Sequence, residues 1–103
     1  MAANEAMSLA IAETDTPEVR EYKTFMWVKA QCEMANVYID ELHDPDPQTR
    51  QDARTRYVAL RNKAITTALS LKDEIGQKFA LHGVIKLCRR AKDFDAAKKL
   101  FRV

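Results

Sequence analysis

Cys32, Cys88, His43 and His82 are the side chains of this sequence whose soft donors suit a metal, and their spacing suits none: there is no Cys-x-x-Cys and no His-x-x-x-His pair. Both cysteines sit inside apolar periodic runs, which reads as two buried free thiols in a reducing compartment. Asp44, Asp46 and Asp52 cluster around one turn, where carboxylates serve as helix caps. With no glycine-rich phosphate loop and no nucleophile beside a base, the expectation is a non-enzyme without cofactor or metal. The remaining chemistry is charge. Arg89, Arg90, Lys92, Lys98, Lys99 and Arg102 crowd the last stretch, and Arg50, Arg54, Arg56, Arg61 and Lys63 precede them.

That charge is divided along the chain. Through Gln48 there are three basic residues against ten acidic, and from Thr49 onward fourteen against five, inside a net charge of +2. So large a separation orients partners through complementary fields. The basic half would meet its own acidic half, an acidic protein surface or a nucleic acid. The aromatic residues fall on expected inward positions instead of among the basic ones, and Val103 stands where a recognition helix would begin. A protein partner or a homodimer is therefore expected first, and a nucleic-acid-binding accessory or regulatory role second.

The elements that must position these groups are helices. In 103 residues there are two glycines and three prolines, among abundant Ala, Leu, Lys, Arg, Glu and Gln. The class expected is all-α, one domain of about four helices over 16–103, behind a mobile acidic tail at 1–15. No run approaches the ~18 apolar residues of a membrane span, and no signal peptide opens the chain, so a cytoplasmic protein is expected.

Thr16-Pro17-Glu18 caps and opens the first helix, expected to run to about His43. Phe25, Val28, Cys32, Ala35, Ile39 and Leu42 form its inward seam, while Trp27, Ala30, Met34 and Val37 form a second apolar stripe on the opposite side. That stripe is the expected protein-interaction surface.

Asp44-Pro45-Asp46-Pro47 ends one helix and starts the next, whose seam is Ala53, Tyr57, Leu60, Ala64, Ala68 and Leu71, with Arg50, Arg54 and Arg61 opposite. A long antiparallel hairpin follows, its acidic arm placed to neutralise its basic arm. A break at Ser70-Leu71-Lys72-Asp73 precedes a helix over about Asp73–Arg90, with Phe79, Leu81, Val84, Ile85 and Cys88 inward. The last helix, about Asp93–Arg102, would turn Phe94, Ala97, Leu100 and Phe101 inward. Gly76 and Gly83, seven apart, would permit close helix approach.

The segment Leu81 to Phe101 resembles one helical hairpin of the tetratricopeptide or pentatricopeptide repeat type. Leu81, Val84, Ile85 and Cys88 take the inward positions of its first helix, Asp93-Phe94-Asp95 the turn, and Ala97 and Phe101 the small and large positions of the second. Ala68 to Asp73 is similar to such a repeat's ending. Ala91 replaces the usual turn glycine, and the closing proline is absent. The resemblance implies a hairpin architecture and protein binding, in the manner of a small adaptor, secretion-type chaperone or inhibitor.

Overall fold

Four α-helices and one short 3-10 turn make up the computed structural model, which describes residues 11–102. The helices are α1 (Pro17–Val37), α2 (Pro47–Leu69), α3 (Glu74–Arg90) and α4 (Phe94–Phe101), with the turn at Asp40–His43 between the first two. The protein is an all-α bundle. Residues 1–10 of the expected acidic tail lie outside the described residues. Residues 11–15 turn back on α1: Asp15 accepts from the Ala12 amide and pairs with Lys23 at 2.9 Å, and Arg20 donates to the Glu13 carbonyl.

Local chemistry starts each long helix where the sequence places a cap. Thr16 accepts from the Val19 amide ahead of Pro17, Asp46 from the Thr49 amide ahead of Pro47, and Asp73 from the Gly76 amide. The chain breaks between α2 and α3 as expected. Two long-range contacts hold that break. Glu21 on α1 accepts from the amides of Lys72 and Asp73 at 2.7 and 2.8 Å, and Gln77 donates to the Leu69 and Leu71 carbonyls.

α1 is shorter than its apolar spacing predicts. The α-helix ends at Val37, and the chain continues through the 3-10 turn, which still carries Ile39 and Leu42 against the core because threefold and 3.6-fold windings keep i+3 neighbours on one side. α1 and α2 form an antiparallel hairpin: Arg56, early in α2, donates to the Tyr38 hydroxyl just past the end of α1, and Glu21, early in α1, reaches the chain just past α2. Neither ion pair among the described residues, Lys23–Asp15 or Arg61–Asp93, joins α1 to α2, so the expected neutralisation of one arm by the other is not made by direct pairing.

α3 packs on all three other helices and centres the fold, with α4 laid against it. Val28, Ala64, Ala68, Leu71, Ala80 and Val84 contribute to one buried cluster, and Ala35, Ile39, Tyr57 and Leu87 make a second. Six of the fifteen core residues are alanine, and the largest side chains fully enclosed are Val84 and Cys88. Small side chains let the helices approach closely and leave little room inside. The expected inward positions of Phe79, Phe94 and Phe101 are accordingly wrong: they stand 66%, 56% and 81% exposed, with Ala80, Leu81, Ala97 and Leu100 taking the interior. Gly83 does not mediate a close approach, since a β-carbon there would meet nothing within 4 Å, and one at Gly76 would meet only its own cap Asp73.

Candidate docking surface

The basic face of α2 and the α3–α4 turn enclose a groove of about 640 Å³. Arg50, Arg54, Val58 and Arg61 of α2 line it, with Lys92, Phe94 and Asp95 from the α3–α4 turn and the start of α4, and Leu42 from the 3-10 turn. Its floor is a polar triad. Asp93 Oδ2 accepts from Arg61 Nη1 at 2.6 Å and from the Tyr57 hydroxyl at 3.0 Å, and the Arg61 guanidinium lies 5.9 Å from the centre of the Tyr57 ring. Burial pushes the Asp93 carboxyl upward, but the hydrogen bonds from Arg61 and Tyr57 and the charge of Arg61 outweigh it and hold the pKa below 3.8. Burial, with the neighbouring Cys88 and Asp93, raises the Tyr57 phenol far above its ordinary range, so it stays a donor at any ordinary pH. Asp93 is thus a fixed anion that ties α2 to the α3–α4 turn.

The turn itself is a left-handed closure. The Asp93 amide donates to the Cys88 carbonyl at 2.7 Å and the Lys92 amide to that of Arg89 at 3.1 Å, which places Lys92 at φ 59°. The left-handed residue is therefore Lys92, and Ala91 keeps helical geometry without needing to be glycine.

Of the six C-terminal basic residues named from the sequence, Lys92 lines this groove. Arg90 lines a smaller one, about 270 Å³, between α1 and α3 with Lys29, Cys32, Asn36, Gly83 and Lys86. Arg89, Lys98, Lys99 and Arg102 are exposed elsewhere on α3, α4 and its end. The cluster read as one docking field is thus spread over several faces, and Arg50, Arg54 and Arg61 supply the cations that converge with Lys92. The expected placement of these arginines opposite the Tyr57 seam is wrong for Arg61: standing i+4 from Tyr57, it shares that side of α2 and is half-buried beside it over Asp93.

On α1 the second stripe divides. Trp27 and Ala30 are half-buried, whereas Met34 and Val37 are 55% and 69% exposed. Tyr22, Ile75 and Phe79 add exposed apolar area near the starts of α1 and α3, which lie together where Glu21 caps the Lys72 and Asp73 amides. Phe79 stands one turn before Gly83, so its side continues into the smaller groove, where the buried Asn36 Oδ1 has no hydrogen-bond partner among the described residues.

Both cysteines are free. Cys88 is buried, and Cys32, half-buried against the core, has its thiol pushed up to about 11 by burial first and then by Cys88 and Glu33. Neither thiol is activated as a nucleophile. Among the described residues no three His, Cys, Asp or Glu side chains group to hold a metal ion, and no helix is long and apolar enough to cross a membrane. No family model, curated protein or solved structure matches this chain.

Proposed function

We propose that this chain is a non-enzymatic, cytoplasmic protein-interaction module, of the adaptor, secretion-type chaperone or inhibitor kind, which docks a second polypeptide or a second copy of itself. The observation that supports it is an inversion of size. Alanine is the commonest core residue, six of fifteen, while three of the four phenylalanines stand more than half exposed, along with Met34 and Val37. Burying one such large apolar side chain is worth about 1.5–3 kcal/mol, so the fold leaves unrealised on its surface what an interface would gain. The repeat-like segment Leu81 to Phe101 supports the reading through the protein binding that its resemblance implies, and the two free, unactivated thiols agree with a reducing compartment.

Met34 and Val37 carry the test, being exposed on the side of α1 turned from the core. Met34→Lys with Val37→Lys is expected to abolish association seen by sedimentation velocity while leaving helical circular dichroism unchanged. Association that persists in the double variant, or a variant that unfolds as a monomer, contradicts the assignment.

A second reading has its own observation. Phe94 and Phe101 are exposed on α4 among Lys92, Lys98, Lys99 and Arg102, so aromatic and basic groups do interleave there, against the sequence expectation. That is the composition of a single-strand nucleic-acid surface, on which bases stack and cations meet phosphates. Binding of this kind would weaken steeply with salt, and Phe94→Ser with Phe101→Ser would reduce it.

A further inference from the structure

We propose that the groove between α2 and the α3–α4 turn receives a carboxylate-bearing segment of a partner polypeptide, with Arg54 and Lys92 meeting its acidic side chains. The proposal rests on the protein-docking reading and names the partner's chemistry at a site away from the exposed α1 stripe. Four cationic side chains line the groove, and two of them are already committed. Arg61 pairs with Asp93 at 2.6 Å, and Arg50 donates to the carbonyls of Asp44 and Pro45 at 3.0 and 3.3 Å. Arg54 and Lys92 are exposed, with no side-chain hydrogen bond or ion pair to any described residue. They face one concavity in which Asp95 is the acid left uncommitted by Arg61, so an excess of positive charge remains that an incoming carboxylate relieves.

Lys92 supplies the second argument. Its φ of 59° lies in the left-handed region, where glycine closes such a turn at no steric cost and a β-carbon destabilises. A lysine here gives up folding stability. What it adds is an ammonium at the rim of the groove, and residues held in unfavourable backbone conformations concentrate at functional sites.

The lining selects between anions. Leu42, Val58, Ala91 and Phe94 line the groove together with the cations and with the Asp93 and Asp95 carboxylates. A continuous phosphodiester chain, charged at every step, would bring that charge against Asp95 and against the apolar lining as well as against the cations. A polypeptide that alternates acidic with apolar side chains meets the cations and the apolar lining in turn. The volume, about 640 Å³, fits a short segment of that kind.

The experiment measures fluorescence anisotropy of a labelled alternating Glu-Leu peptide and of labelled oligo-dT against the full-length protein, alongside its thermal melt. Arg54→Gln and Lys92→Gly are each expected to weaken peptide binding about two- to fivefold, and the double variant about tenfold, as for solvent-exposed charge pairs. Lys92→Gly is also expected to raise Tm by about 2–6 °C, by relieving the left-handed β-carbon. More stable but weaker binding separates a functional role from a structural one. Arg89→Gln, outside the groove, leaves binding at the parent value. Absence of peptide binding by the parent, or equal weakening by Arg89→Gln, overturns this inference while leaving the α1 association standing. Oligo-dT binding that outcompetes the peptide and is lost in Lys92→Gly overturns this inference in favour of nucleic acid at the groove, the α1 association being decided by Met34→Lys with Val37→Lys.

Discussion

Asp93 joins residues that lie 32 and 36 positions away in the chain, through Arg61 and Tyr57, and it is where single-atom changes are most legible. Asp93→Asn keeps the shape but strips the charge that Arg61 pairs with, and is expected to cost about 1–3 kcal/mol in urea unfolding. Tyr57→Phe removes one donor and should cost about 1 kcal/mol. Because the folded state holds Asp93 below its ordinary value of 3.8, it stabilises the protein above that pH, and the contribution is lost as pH falls through the depressed folded value. Asp15 and Asp46 are lowered as well, by hydrogen bonds first, so the parent's acid slope is shared. The difference in slope between parent and Asp93→Asn isolates Asp93, and identical slopes would contradict the triad. Cys88→Ala should cost about 1–2 kcal/mol and Cys32→Ala less, neither altering association, and the raised thiols should alkylate slowly until the protein unfolds.

At the scale of elements, the α2–α3 break depends on a side chain from α1. Glu21 satisfies two amides ahead of α3, those of Lys72 and Asp73, so Glu21→Ala is expected to cost about 0.5–2 kcal/mol and to speed hydrogen exchange there more than within α2. Unchanged exchange would show that Asp73 alone sets the start. The starts of α1 and α2 were readable because Thr16-Pro17 and Asp46-Pro47 act within one turn of themselves. The Glu21 cap and the Arg61–Asp93 pair were not, because each closes over more than thirty residues and depends on how helices dock. The end of α1 was missed for a different reason: Ile39 and Leu42 keep apolar spacing through a 3-10 turn, so periodicity does not register the change of winding. Periodicity also marks a face without weighing size, which is why Phe79, Phe94 and Phe101 were assigned to an interior that alanines occupy. On α2 the predicted seam residues Ala53, Tyr57, Ala64 and Ala68 are buried, and on α3 Leu81, Val84 and Cys88 are, while Phe79 is exposed and Ala80 and Leu87 are buried in addition.

The whole molecule is drawn out. Its Cα radius of gyration is 14.6 Å, against about 13 Å for a compact domain of about 100 residues, and its extents are 48 × 35 × 15 Å. A thin, alanine-filled bundle has large faces for its mass. Its surfaces differ: exposed apolar side chains at Tyr22, Ile75 and Phe79 near the starts of α1 and α3 and at Met34 and Val37 near the end of α1, and cations around Arg54 and Lys92. An apolar face gains affinity by burial and a charged groove orients the approach, so salt should change the association rate of a polypeptide partner more than its dissociation rate. Sedimentation velocity of the purified protein at low salt, followed in the absorbance bands of protein and of nucleic acid together, tests the central claim most directly. The expected result is a boundary heavier than a monomer that absorbs as protein alone and returns to monomer in Met34→Lys with Val37→Lys. A boundary that absorbs as nucleic acid and collapses to monomer on adding salt, unaffected by those two substitutions, would contradict it.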